Sequence, residues 1–517
     1  MSTSVPESGQ NVAAQGSVVA GMTMLSRISG FVRDVMLSHF LGASAVADAF
    51  FVAFKIPNFF RRLFAEGAFN QAFVPVLARY REGPREALTT FISIIAGNLG
   101  LTMLLVVTLG ILIAPALIFV FAPGFDAGSE QFQLATEMVR ITFPYLGFIS
   151  LTAFAGAILN SHHRYAVPAF TPVLLNLSLI SAMLLAGAFS EPVFALAWGV
   201  LFAGVAQLVF QLPSLKALGV IKAPQLSLKD EGARRVGKLL LPAVFAASVS
   251  QINALIDTML ASTLITGSIS WLYYSDRLLE LPVGLVAVAL GTVLLPNLSR
   301  LEKDEDPDGV RATLDWGLRV GAFFGIPAAT ALYVLAVPLI SSIFLHGATT
   351  ALDARMAALS LQAFAVGLLP LVLVKVLAPG YFAQENTVTP FRIGVVAVAV
   401  NVVLNLALFR VMGHVGLALA TSAAAMVNAF LLWRGLRHEG RCRPSRMTSL
   451  TVGRCILASV VMVVVLKFVT AADSAWLAGE VLRRTGWLVL SIAAGGGAYL
   501  ASMLLLGGRP AHLLHHA

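Results

Sequence analysis

Eight charged side chains stand inside apolar sequence between Met24 and Arg79: Arg27, Arg33, Asp34, Asp48, Lys55, Arg61, Arg62 and Glu66. A charge at membrane depth costs at least ~2.5–3.5 kcal/mol on insertion scales, so it faces a partner or a wet cavity. Eight of them in two apolar runs cannot all face lipid. The excess of Arg and Lys over acid predicts a water-filled cavity that receives an anion. Arg27 and Asp34 are seven apart and share a helix face, with Arg33 pointing elsewhere. Asp48, Lys55 and Arg62 also step by seven, and Arg62–Glu66 is an i, i+4 pair. Arg33, Asp34, Arg62 and Glu66 could thus neutralise one another in a structural network, or shape and gate the cavity. Arg27 and Arg61 have no acid three or four residues away and are expected to face the ligand.

A second basic position lies in WLYYSDRLLELP (271–282), which carries Asp276, Arg277 and Glu280. Asp276 and Glu280 are four apart, and Arg277 is expected to project on its own between them, towards the same ligand. Lys375 in LVLVKVLAPG (371–380) adds to the field or snorkels on its flexible stem. Arginine suits a diphosphate: its planar fork donates bidentate hydrogen bonds and stays charged at any working pH.

The other constellation is polar. Asp257, Asn401, Asn405 and Thr421 offer oxygens that would hold a small hard cation, such as sodium, or a proton for coupling. The competing reading is hydrogen bonding between helices. His162–His163–Arg164, the HLLHHA tail and the trio Asp304, Asp306 and Asp308 read as solvated turns, so no firm metal site is expected. No phosphate-binding GxxxxGK[ST] loop and no nucleophile–base pair is found, which argues against an enzyme.

The elements that must position these residues are membrane helices. Of 517 residues, 58% are hydrophobic and only 12% charged, with mean hydropathy +0.85; soluble domains carry roughly 25% charged residues. The expected class is all-α and polytopic. Apolar windows place fourteen spans near 16–38, 46–78, 90–120, 136–159, 166–188, 193–213, 238–263, 269–298, 312–344, 356–382, 391–410, 415–436, 449–470 and 482–507. The loops 79–90, 160–166, 214–238, 299–311, 383–392 and 434–446 hold 19 Lys and Arg, whereas the alternate loops hold Arg355 and Arg410. The positive-inside rule then puts both termini in the cytoplasm. It also accounts for the net charge of +9 without nucleic acid. Residues 1–15 contain no Lys or Arg, so a cleaved signal peptide is not expected. Cys442 and Cys455 are too few for a disulfide framework.

The chain also repeats itself. FVPVLAR (73–79) matches LLPNLSR (294–300), APALIFVFAPG (114–124) matches VPLISSIFLHG (337–347), and Pro144 and Pro370 fall at corresponding places. Helices 1–6 (N-lobe, 16–217) and 7–12 (C-lobe, 238–438) are therefore expected to be like-oriented lobes around a cavity that opens alternately to either side. A tail (1–15) precedes them and a basic linker (218–237) joins them. Helices 13–14 (439–507) form an accessory packing pair or a groove for a lipid tail, with AAGGGAY (493–499) allowing close approach, and a tail (508–517) follows.

MTMLSRISGFVRD, ADAFFVAFKIPNFFRRLFAEGAFNQAFVPVLA, FAPGF, ITFPY, GAILN, QLPSL, WLYYSDRLLELPVG, VALGTVLLP and KVLAPGYF resemble, in order, the MurJ (MviN) family of lipid II flippases. That family belongs to the multidrug/oligosaccharidyl-lipid/polysaccharide exporter superfamily. The resemblance implies transport of lipid II, an undecaprenyl diphosphate bearing a disaccharide-pentapeptide, from the cytoplasmic to the periplasmic leaflet of a bacterial inner membrane. It implies functional roles for Arg27, Arg33, Arg61, Arg277 and Asp48, a lipid-tail groove beside helices 13–14, and membrane lipids and cell-wall synthesis or division proteins as partners. It implies no resident cofactor; sodium, a proton and the membrane potential stay open as energy sources. Three other readings compete: a same-fold exporter of another polyprenyl-linked saccharide or of drugs, a membrane enzyme acting on polyprenyl diphosphates, and a non-transporting scaffold. An acid-dominated cavity would favour cationic drugs, and a metal-binding acid cluster at the membrane face would favour the enzyme.

Overall fold

The structure, a computed structural model, describes residues 8–62, 69–470 and 472–508. The described residues are helical and contain no strand. In chain order the helices are α1 (Ser8–Leu41), α2 (Ala45–Arg61), α3 (Phe69–Arg81), α4 (Arg85–Leu112), α5 (Ala114–Phe121), α6 (Glu130–Thr142), α7 (Tyr145–Ser161), α8 (Ala166–Leu184) and α9 (Val193–Leu218). They continue as α10 (Glu231–Ser262), α11 (Ser268–Lys303), α12 (Pro307–Val334), α13 (Ala336–Phe344), α14 (Ala351–Phe382), α15 (Val388–His438), α16 (Arg446–Val469), α17 (Asp473–Ala478) and α18 (Val481–Leu505). Among the described residues, each predicted span overlaps one helix or neighbouring helical pieces; residues 63–68 of the second span lie outside them. Among the described residues, nine helical stretches are long and apolar enough by themselves to cross a membrane.

Local chemistry explains where the pieces end. Ser44, Ser129, Asp230, Asp306 and Ser445 cap α2, α6, α10, α12 and α16 by accepting backbone N–H bonds. Thr350 and Asp353 form a reciprocal capping box on α14. The third predicted span breaks at Ile113, two residues before Pro115, and the ninth breaks at Leu335, three before Pro338. The repeat therefore appears as matching helix breaks. Its last pair behaves differently: Pro144 separates α6 from α7, whereas Pro370 sits inside an unbroken α14. Within α15, Gly413 turns the chain at φ 57°, ψ −137°, a backbone conformation that side chains disfavour, so the predicted spans 391–410 and 415–436 are separate rods.

The chain divides into two compact units, one through Thr263 and one from Leu264. In the first, α1 packs on α8, α2 on α6, and α7 on α9. Phe73, Phe91 and Phe154 centre a core that also takes in Val236 of α10. The repeat assigns α10 to the second lobe, but its packing partner is α3 of the first unit. The boundary set by packing therefore lies one helix beyond the boundary set by the repeat. In the second unit, α14 packs against α11, α12 and α15. α16 and α18 pack on each other and on α12, around Leu335, Cys455, Met462, Leu466, Tyr499 and Met503. Of the glycine run in α18, only Gly495 is needed for that approach, since a Cβ there would meet the Leu466 side chain; Gly496 and Gly497 face open space.

Candidate functional site

α1 carries its charges in two environments. Arg27 is exposed, beside exposed Met24, Leu25 and Ile28, and makes no hydrogen bond or ion pair among the described residues. Two turns on, Arg33 and Asp34 are buried, at 6% and 3% exposure. The Arg33 guanidinium donates to Asp34 Oδ1 through Nε (3.0 Å) and Nη2 (2.6 Å), and to Asn176 Oδ1 of α8 through Nη1 (2.9 Å). Asn176 in turn donates to Ser26 O (3.0 Å) and Ser29 Oγ (2.9 Å). The expectation that Arg33 points away from Asp34 is thus corrected. Adjacent residues leave a helix about 100° apart, but the long arginine stem folds back once burial makes an unpaired charge costly. Arg33, paired with Asp34, also clamps α1 to α8 through Asn176.

On α2, Asp48 is buried at 3% exposure, and Lys55 is half-buried. Arg61 is also half-buried, with Nε donating to Asn58 Oδ1 at 3.1 Å. Arg62, at the C-cap, is exposed. Glu66 lies outside the described residues, so its proposed pairing with Arg62 does too.

In the second unit, Arg277 does not project alone. Nη1 meets Glu280 Oε2 at 2.8 Å, Nη2 donates to Tyr273 Oη at 3.3 Å, and the guanidinium lies 4.9 Å from the Tyr273 ring centroid. One turn of helix brings i and i+3 together, which the reading of Asp276–Glu280 as the relevant pair overlooked. The pair remains partly open, with side-chain exposures of 31% and 55%, so it orients the guanidinium more than it neutralises it. Asp276 and Lys375 are exposed.

The polar constellation is split between the units. Asp257 is half-buried on α10, in the first. In the second, Asn401 and Asn405 are fully buried: Asn405 Nδ2 donates to Asn401 Oδ1 at 2.7 Å, and Asn401 Nδ2 to Thr421 Oγ1 at 3.3 Å. This ladder ties the two rods of α15 together.

Sequence reading missed several polar groups that organise these helices. Asn176 was hidden in an apolar run, although one asparagine in such a run is itself a signal. Trp271 Nε1 donates to Asp353 Oδ1 at 3.0 Å, and buried His414 lies edge-on to the Trp271 ring and 2.6 Å from Ser360 Oγ. Asp315 accepts from Ser445 N (2.9 Å) and Oγ (2.8 Å), fastening the loop before α16 to α12. Asp306 and Asp308 act locally, the first capping α12 and the second pairing with Arg311, in keeping with a solvated turn.

The family model for lipid II flippase MurJ matches residues 37–485. A probable lipid II flippase MurJ of Vibrio cholerae is 44% identical over 503 residues, 96% of each chain. A lipid II flippase MurJ of Burkholderia cenocepacia is 40% identical over 433 residues, 83% of this chain and 84% of that one. Among solved structures, a lipid II flippase MurJ in an inward closed conformation superposes with a TM-score of 0.80 at 28% identity, covering 94% of this chain and 98% of that one. An inward-facing multidrug transporter of the MATE family shares the fold alone, with a TM-score of 0.66 at 14% identity over 82% of this chain and 98% of that one.

Proposed function

The chain belongs to the MurJ family of lipid II flippases, and we propose that it moves lipid II from the cytoplasmic to the periplasmic leaflet of a bacterial inner membrane by alternating access. It is a multi-pass transporter and not an enzyme. The observation that carries the mechanism is Arg27: a guanidinium on an apolar helix, exposed and with no bond among the described residues. Such a group needs an anion or water to meet its hydrogen-bonding demand. In this reading Arg27, Arg61 and Arg277 hold the diphosphate. Asn58 and Glu280 keep the last two in place, and Arg33 supports them by clamping α1 to α8. Asp34, Asp48, Lys55, Arg62, Glu66, Asp276, Glu280 and Lys375 shape or gate the cavity. Both termini lie in the cytoplasm, as the loop charges require. Asn401, Asn405 and Thr421 supply oxygens for a coupling cation, with Asp257 a further candidate ligand.

Purified protein in vesicles loaded with lipid II on one face tests the substrate. Lipid II should cross, and undecaprenol lacking the diphosphate should not. Equal transport of both would remove the diphosphate from the recognition scheme. Acceleration by a sodium gradient, lost in Asn401→Leu, is expected of the cation site; a rate indifferent to sodium would leave the asparagines as a structural ladder.

A further inference from the structure

The basic linker after α9 reads from the sequence as a cytoplasmic loop, yet it travels along α4 towards the membrane. In the first turn of α4, Arg85 Nη2 donates to Leu218 O at 3.1 Å. Further along, Ser93 Oγ donates to Ala223 O, and Gln225 N donates to Ser93 O at 3.1 Å. Asn98 then takes both backbone groups of Ser227: its Nδ2 donates to Ser227 O at 2.8 Å, and Ser227 N donates to its Oδ1 at 3.2 Å. From Arg85 to Asn98 is roughly 20 Å along a helix axis. Three residues beyond Asn98, at Leu101, the exposed leucines of α4 begin, and they continue through Leu104, Leu105 and Leu109. The linker thus ends its run at the edge of the lipid-facing band.

Three features fit that depth better than open water. Leu226 and Leu228 flank Ser227, as alternation along an extended chain would place them on one side, and they are 65% and 83% exposed. The backbone here is met by protein groups. Besides the bonds to α4, Leu228 O accepts from Arg234 Nε of α10 at 3.1 Å. A loop in water needs none of these partners, whereas a chain at the lipid boundary must find them. Asn98, a polar residue in an apolar run, supplies two of the bonds. The charges around the leucines are mainly cationic: Lys222, Lys229, Arg234 and Arg235 are exposed, against exposed Glu231 and half-buried Asp230.

We infer that residues 222–229 form an interfacial anchor, with Leu226 and Leu228 entering the acyl region of the cytoplasmic leaflet and Lys222 and Lys229 on its anionic phospholipid headgroups. An apolar pair flanked by cations suits a segment that lies on a membrane surface. The lysine stems are long enough to leave the apolar layer and reach the headgroups. The leaflet is named from the proposed topology, and the anchor does not depend on what the protein carries.

The test places the full chain, with Cys442→Ala and Cys455→Ala, in nanodiscs containing phosphatidylglycerol. Leu228→Cys carries an environment-sensitive fluorophore. Leu105→Cys on the exposed face of α4 and Asp304→Cys in an exposed turn serve as the lipid and water references. The label at position 228 should be quenched by a nitroxide borne on the acyl chain as strongly as the label at 105. It should escape iodide, which quenches the label at 304. Without the dye, the thiol at 228 should react with a charged maleimide far more slowly than the thiol at 304, which excludes a pull by the fluorophore. Quenching by iodide, rapid maleimide labelling, or shielding from both quenchers (the mark of a protein partner) would each overturn the anchor. Replacing phosphatidylglycerol by phosphatidylcholine should speed maleimide labelling at 228, and Lys222→Gln with Lys229→Gln should remove that dependence. Labelling indifferent to lipid charge would overturn the headgroup contact.

Discussion

Arginines at similar depth in the chain have different work to do, and their surroundings tell them apart. Arg33 spends its three donor groups on Asp34 and Asn176, inside the protein. Arg27, two turns earlier, makes no such bond among the described residues. Replacing Asn176 with Leu should therefore cost about 1–3 kcal/mol by leaving Arg33 Nη1 unmet. That loss would be read as a lower Tm in detergent, and an unchanged Tm would show that the clamp is dispensable. Arg27→Ala should leave Tm unchanged. Cys442 gives a pH-linked prediction: burial, with Asp315 nearby, pushes its thiol up to about 12, from 9.0. The folded state thus favours the protonated thiol. Its contribution is fully present below pH ~9 and is lost as pH rises towards 12. In a Cys455→Ala background, maleimide at pH 7.5 should fail to label the folded protein and should label it after denaturation. Rapid labelling of the folded chain would contradict this environment. The types and spacing of the charged residues singled them out as candidates, but could not tell whether each was satisfied inside the protein. Satisfaction depends on distant partners such as Asn176, and on the i, i+3 geometry that joins Arg277 to Glu280.

Helices were legible wherever apolar runs met a cap or a proline. The breaks before Pro115 and Pro338 and the turn at Gly413 follow from local chemistry. The unbroken course of α14 through Pro370 does not; there α11, α12 and α15 pack against a helix that continues past the proline. Nor could composition reveal how the linker after α9 travels. It lies along α4 in extended form, with Gln225 N donating to Ser93 O at 3.1 Å and Ser227 exchanging two bonds with the Asn98 side chain. Gly97 makes this possible, since a Cβ there would collide with the Gln225 carbonyl. Gly97→Val should therefore detach the linker and expose residues 220–230 to limited proteolysis under conditions where the wild type resists. Equal resistance would show that the linker finds another path.

At the scale of the whole molecule, the internal repeat, the alternating loop charge and the family membership converge on a transporter. The repeat marks corresponding helices, while packing draws α10 to the first unit. Sequence could not foresee that difference, because the contact depends on Val236 and Gly232 meeting an aromatic cluster built from α3, α4 and α7. The central claim is that the chain carries lipid II by its diphosphate on Arg27, Arg61 and Arg277. The most direct measurement is lipid II translocation in cells depleted of their own flippase, comparing the wild type with Arg27→Ala, Arg61→Ala and Arg277→Ala at matched membrane levels. The account predicts that the wild type restores translocation and that each variant, folded and inserted, loses most of it. Normal translocation by all three variants would contradict it and leave these arginines a structural role.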